Sequence, residues 1–207
     1  MHGVPWSLVR WEVSEAGQDF VAARLDWSDP ALLAIFPFRH SIELTATIRI
    51  DGLTLETRLA ASSRGTVPVS FGFHPYFNLP ELPRTDWELE IPAMRNLVLD
   101  SRGIPTGDEE AFGGFKGQLG ESTFDDGFAL TDAQNSFSIT GVKRRISVDF
   151  LAGYRFAQVF APRGKDYIAF EPMTSPTSAL TTGRGLRLVP ADESFRASFR
   201  VRVEALV

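Results

Sequence analysis

The sequence predicts an all-β protein, an antiparallel β-sandwich, and three observations carry that expectation. Between residues 41 and 50, Ile42, Leu44, Ala46, Ile48 and Ile50 fall on one side of a two-residue period and Glu43, Thr45, Thr47 and Arg49 on the other. That is the pattern of a strand with one buried face. Asp51-Gly52 follows at once and 53–59 resumes the alternation, so 41–59 reads as a hairpin joined by a tight Asp-Gly turn. The remainder is a succession of short β signals, near 18–27, 67–73, 87–91, 136–141, 144–150, 155–161, 166–171 and 195–203, with little room for a long helix.

Each element has its own punctuation. Phe20, Ala22 and Arg24 oppose Val21, Ala23 and Leu25, and Ser28-Asp29-Pro30 ends that strand. The interval from Leu97 to Asp126, rich in Gly and acidic residues, reads as a long excursion with one short helical turn. No repeat of fixed period interrupts the chain, and 207 residues suit one sizeable core. The whole of 1–207 is expected to be a single domain.

Charge and composition narrow the function. A net charge of -5 with no run of Lys and Arg argues against a nucleic-acid surface. The absence of cysteine removes disulfide frameworks and thiol catalysis. The first seventeen residues lack the apolar core of a secretory signal, and no stretch approaches the ~20 apolar residues that span a bilayer. A cytoplasmic protein without nucleic-acid or membrane partners is expected.

The most informative stretch is VSFGFHPYFNLP at 69–80. Alternation through Val69, Ser70, Phe71 and Gly72 runs into His74-Pro75, and the proline pushes His74 toward an extended conformation where a strand leaves its sheet. A histidine there is either a proton carrier, with an unperturbed pKa of ~6.5, or an imidazole satisfied by a backbone carbonyl. Two further segments stand out: STFDDGFAL at 122–130 and FEPMTSPTSAL at 170–180.

Taken in order, FGFHPYFNLP, STFDDGFAL and FEPMTSPTSAL resemble the aldose 1-epimerase family, the galactose mutarotases, over nearly the whole chain. The resemblance implies a sandwich of the galactose mutarotase type, with a sugar cleft on the concave face of its larger sheet. It implies interconversion of the α and β anomers of an aldose, with no diffusible cofactor. Independently of the resemblance, Asp125, Asp126 and the scattered acids form no recognised calcium loop, which argues against a metal site. His74 matches the family's general acid, which protonates the ring oxygen O5, and Glu171 its base, which takes the proton from O1. Asp125 matches its substrate-binding aspartate, with Asp126 left as turn or rim. A plain Asp-Gly turn also explains that segment. Tyr76 and Phe77 are expected to pack around the site, where either ring could touch the sugar.

At the N-terminus, His2-Gly3 resembles the family's second histidine region, which gives His2 a substrate-binding role, and Trp11 matches the tryptophan that follows it. Members of ordinary length carry roughly another 70 to 90 residues before this motif, including an arginine that approaches the sugar. That role is not transferred to Arg10. The domain is therefore expected to be N-terminally shortened, with a homo-oligomer covering an incomplete sheet edge. Trp6 is read as core or cleft-edge, with sugar contact as a second role.

The expected substrate is a neutral aldohexose monosaccharide. The alternatives are a hexose 6-phosphate, for which Lys143, Arg144 and Arg145 supply the nearest basic patch, and a non-catalytic carbohydrate-binding relative. Gly183-Arg184-Gly185 reads as a tight loop, too short for a phosphate-binding motif.

Overall fold

The computed structural model describes residues 3–131 and 135–206. A 3-10 turn at Trp6–Leu8 leads to β1 (Glu12–Ala16) and β2 (Phe20–Trp27). Asp29 then caps a short helix, α1 (Pro30–Ile35), its side chain accepting from the Ala31 amide while Pro30 takes a first-turn position that needs no donor. The hairpin follows as β3 (His40–Arg49) and β4 (Gly52–Ala61). Its turn differs by one residue from the sequence expectation. Arg49 pairs with Gly52, so the loop residues are Ile50 and Asp51. Gly52, at φ +131°, is required there because a Cβ would lie 2.2 Å from the Val201 carbonyl oxygen of the next strand.

The expected strand at 67–73 is realised as β5 (Val67–Val69), and β6 (Tyr76–Phe77) follows beyond it. After β7 (Glu88–Ile91) comes the largest correction. The interval read as an excursion is β8 (Met94–Leu99), β9 (Pro105–Phe112), β10 (Phe115–Gln118) and β11 (Phe124–Ala129). Its glycines sit in turns and irregular strand positions, and its acids lie on β9, an edge strand where Asp108, Glu109 and Glu110 are exposed. Charge on an edge discourages further pairing and costs nothing in burial, but it erases the alternation that betrays a strand. Asp100 fixes the β8–β9 turn by accepting from the amides of Ile104 and Arg102; the Ile104 amide first, then the Arg102 guanidinium and amide, hold its carboxyl below the ordinary range.

The chain closes with β12 (Ser136–Thr140), β13 (Arg144–Ala152), β14 (Phe156–Ala161), β15 (Ile168–Met173), α2 (Ala179–Thr182), β16 (Arg187–Val189) and β17 (Ser194–Ala205). One sheet has nine strands in the order β1-β2-β3-β4-β17-β13-β12-β7-β10, a second has six in the order β6-β15-β14-β11-β8-β9, and β16 pairs with β5. Every pairing is antiparallel. This is the predominantly antiparallel sandwich of the galactose mutarotase type, with little helix. Phe128, Val159 and Phe170 of the six-stranded sheet share one core with Phe137, Val148 and Phe199 of the nine-stranded sheet.

The two layers are unequal. On the β1–β4 side, Val4, Trp6, Val9, Trp11, Leu32 and Leu33 cover Leu25, Trp27 and Ile42. Farther along the same strand faces, Val21 and Ile48 are 41% and 56% exposed, and Val13 on the edge strand is 68% exposed.

Candidate active site

Backbone register brings the site together. Gly72 bridges Met173, Tyr76 pairs with Ala169 and Phe77 with Ile168, so His74 falls directly opposite Glu171. The strip is zipped in place: the Phe73 amide donates to the Pro172 carbonyl, the Thr174 amide to the Phe71 carbonyl, and the Ser175 hydroxyl to the Ser70 hydroxyl at 2.7 Å. Across the next strand Glu171 pairs with Gln158, and Gln158 with Gly127. One row of side chains on the outward face therefore runs His74, Glu171, Gln158, Gly127. The adjacent row on that face runs Tyr76, Ala169, Phe160, Asp125.

This face belongs to the six-stranded sheet, which corrects the expectation of a cleft on the larger sheet. The physical reason is alternation. Ala157, Val159 and Ala161 point into the core, so their neighbours Phe156, Gln158 and Phe160 point out. A cleft of about 1040 Å³ does lie on the nine-stranded sheet, and charges in its lining are paired with one another, Arg202 with Asp149 and Arg145 with Glu90. None of His74, Asp125 or Glu171 lines it.

His74 Nε2 lies 3.0 Å from Glu171 Oε1. The Tyr76 ring stacks on the imidazole with centroids 4.5 Å apart, its hydroxyl 3.4 Å from the same Nε2, and the Phe160 ring stands edge-on to it at 6.0 Å. Pro172 after Glu171 suggests from sequence that a strand ends there, yet β15 continues through Pro172 to Met173, and the carboxylate rises from within the sheet. There it is 9% exposed. Burial first, and then the charge of Asp125, push its carboxyl up to about 8. Glu171 and His74 thus stand in direct contact, close enough to pass a proton between them or to a shared ligand.

Asp125 is the second residue of β11 and exposed. Gln158 Nε2 donates to its Oδ1 at 2.8 Å. FDDGF is thus a strand segment rather than a turn, and its alternation turns Asp125 outward with Gly127 while Asp126 takes the face of Phe128. Gly127 leaves room for the amide: Gln158 Oε1 is 3.1 Å from where a Cβ would stand. Gln158, Phe160 and Tyr167 were missed at the level of sequence. Gln158 had a signal, the one polar residue in FAQVFA at 156–161, but the register against Glu171 cannot be counted from the chain. Tyr76 and Phe77 divide, Tyr76 half-exposed on the site face and Phe77 stacked on Phe170 in the core.

Trp6 lies 5.1 Å from the ring of Phe71 and packs edge-on to Phe73 and Trp11. It belongs to the aromatic wall beneath the His74 strip, and its ring contacts do not include His74, Asp125 or Glu171. His2 lies outside the described residues. Arg144 and Arg145 are engaged with Glu81 and Glu90 on the other side of the sandwich from the site. Among the described residues no three His, Asp or Glu side chains are grouped to hold a metal ion, and no helix is long and apolar enough to cross a membrane.

Solved structures reproduce this arrangement of strands. A galactose mutarotase-like protein of Clostridium acetobutylicum superposes with a TM-score of 0.84 at 21% identity, over 95% of this chain and 67% of that one. A protein of Synechocystis sp. PCC 6803 gives 0.76 at 28% identity, over 95% and 66%. Galactose 1-epimerase from Lactobacillus acidophilus gives 0.72 at 16% identity, over 94% and 66%. The chain thus spans about two thirds of the length of the structures it matches. No curated protein sequence matches it. The aldose 1-epimerase family profile aligns with residues 1–202, nearly the full length, and the chain belongs to that family.

Proposed function

We propose that this chain interconverts the α and β anomers of a neutral aldohexose by acid–base ring opening and re-closure. The observation that carries the reading is the contact of His74 with Glu171 at 3.0 Å, in a row that also presents Gln158 beside Asp125. With Glu171 ionised and His74 protonated, Glu171 accepts the proton of the O1 hydroxyl as C1–O1 becomes a carbonyl. The C1–O5 bond breaks, and O5 takes the proton of His74. Rotation about C1–C2 and the reverse transfers close the ring on the opposite face. A buried carboxylate with a raised pKa is a stronger base for a hydroxyl proton, and the Tyr76 ring fixes the imidazole plane. Asp125, steadied by Gln158, accepts sugar hydroxyls and holds the ring in register.

Substrate neutrality rests on the engagement of Arg144 and Arg145 with carboxylates away from the site. Polarimetry from pure α-galactose and α-glucose, with spontaneous mutarotation subtracted, tests the reading. Exchange well above the uncatalysed rate is expected, and a large preference for glucose 6-phosphate would discard the neutral sugar. Sugar binding without exchange would instead favour the non-catalytic relative. The unpaired backbone edge of β1 and exposed Val13, Val21 and Ile48 also lead us to expect concentration-dependent self-association in light scattering. A monomer at every concentration would reject the homo-oligomer.

A further inference from the structure

The register that pairs His40 with Ala61 carries one step past the end of the β3–β4 ladder, where the Ser62 amide donates to the Arg39 carbonyl at 3.2 Å. The loop that follows, 62–66, is thereby held beside the chain leaving α1. A pocket of about 270 Å³ lies there, with apolar surface from Leu33, Pro37 and Phe38 and its charge from Arg39 and Arg64. It shares no residue with the face of His74, Glu171 and Asp125.

The apolar surface is anchored. Phe38 packs on Phe36 with ring centroids 4.8 Å apart, and both rest against the main core. Arg39 is half-buried and its Nη1 donates to the Ser28 carbonyl at 3.3 Å, which uses one of the five donors of a guanidinium. Arg64 is exposed, with its amide donating to the Ser62 hydroxyl at 3.4 Å. Among the described residues no carboxylate forms an ion pair with Arg39 or Arg64, and no Asp or Glu lines the pocket. The larger cleft on the nine-stranded sheet differs in this respect, for its Arg145 is held by Glu90 and its Arg200 and Arg202 by Asp149. The nearby acids are turned to other work: Asp29 accepts from the Ala31 amide, and Glu193 meets β4 through its backbone carbonyl. A net charge of -5 spread over the chain does not cancel a local excess of two cations, since charges farther than ~8 Å are screened.

The lining selects a chemistry. Its volume falls below the ~300–1,000 Å³ of pockets for drug-sized ligands, so the occupant is small. Two guanidiniums favour a planar anionic head. The hydroxyls of Ser62 and Thr66 add hydrogen-bonding groups beside them. Leu33, Pro37 and Phe38 gain from a hydrocarbon body, which inorganic phosphate lacks. A neutral sugar answers neither the charge nor the apolar surface.

We propose that this pocket is a binding site for a small organic acid, its carboxylate held by Arg39 and Arg64 and its hydrocarbon body laid against Leu33, Pro37 and Phe38. The ligand joins the end of α1 to the loop that opens β5. The site stands apart from the anomer-exchange reading and does not depend on it.

The test titrates benzoate, benzamide and inorganic phosphate, at one ionic strength and without sugar, into ¹⁵N-labelled wild type, Arg39→Ala, Arg39→Lys and Arg64→Ala. Benzoate is expected to bind saturably in the millimolar range, as so small a molecule allows, and to shift the amides of Leu33, Phe38, Ser62, Gly65 and Thr66. Benzamide keeps the ring without the charge and is expected to bind at least tenfold more weakly. Arg39→Ala and Arg64→Ala are each expected to weaken benzoate about tenfold, the size of one lost charge-assisted hydrogen bond, and Arg39→Lys to keep part of the affinity. Should Arg39→Ala fail to fold, Arg64→Ala decides, because that exposed side chain supports no other element. Benzoate bound no tighter than benzamide, shifts confined to other parts of the chain, or wild-type affinity in Arg64→Ala overturns the site. Phosphate bound as tightly as benzoate overturns the organic acid, since the apolar surface would then contribute nothing.

Discussion

Removing either member of the facing pair, by His74→Ala or Glu171→Gln, is expected to slow catalysed anomer exchange by roughly 10²–10⁴-fold, the scale of lost general acid–base assistance. The expectation follows from the way register, rather than loop chance, sets the pair. His74 is opposite Glu171 because Gly72–Met173 and Tyr76–Ala169 bracket it, and a strand register does not shift when one outward side chain changes. Both variants should therefore fold and fail. Ring opening moves one proton off O1 and one onto O5, so losing either partner leaves water to supply that transfer. Asp125→Asn touches neither proton. It weakens hydroxyl positioning and is expected to raise KM more than it lowers kcat. Near-wild-type exchange by folded His74→Ala or Glu171→Gln, measured by polarimetry from a pure α-anomer, would sink the assignment.

The contrast between what could be read from the chain and what could not has a single physical origin. A strand is legible when one face is buried, because the period-two pattern records burial. β3 and β4 were legible from that period between Ile42 and Leu59, although the face is buried at Ile42 and Leu59 and open at Ile48, and the turn slipped by one residue. β9 was not, since an edge strand bearing Asp108, Glu109 and Glu110 has no buried face to record. The same limit applied to the site. His74, Asp125 and Glu171 were picked out through motif resemblance, and local sequence suggested that His74 and Glu171 left their strands. The proline after each carried that inference, and for Glu171 it placed the residue at the end of a strand that in fact continues. Gln158 was invisible because its significance lies in what stands across from it. Which sheet bears the site was likewise beyond the sequence, for both sheets show the same alternation.

The second large expectation concerns stability, and it comes from Glu171 being buried where it works. Its carboxyl rises from an ordinary 4.5 to about 8, through burial first and Asp125 second. A group whose folded pKa lies above its unfolded one contributes stability below the unfolded value and loses it as pH climbs through the folded value. Glu171 therefore costs the fold nothing near pH 4, progressively more from about pH 4.5 upward, and its full amount above about pH 8. At ~1.4 kcal/mol per pH unit the ceiling is ~5 kcal/mol. Glutamine keeps the shape and cannot ionise. Glu171→Gln should accordingly melt at nearly the wild-type temperature at pH 4 and several degrees higher at pH 9, given ~2–4 °C per kcal/mol for a chain of this length. Paired thermal melts across pH 4–9 measure it directly. A difference that stays constant with pH, or a variant less stable than wild type at pH 9, would show that the carboxylate is not held against its own ionisation. On the expected outcome the substitution that slows exchange stabilises the fold at high pH, which separates a residue kept for proton transfer from one kept for packing.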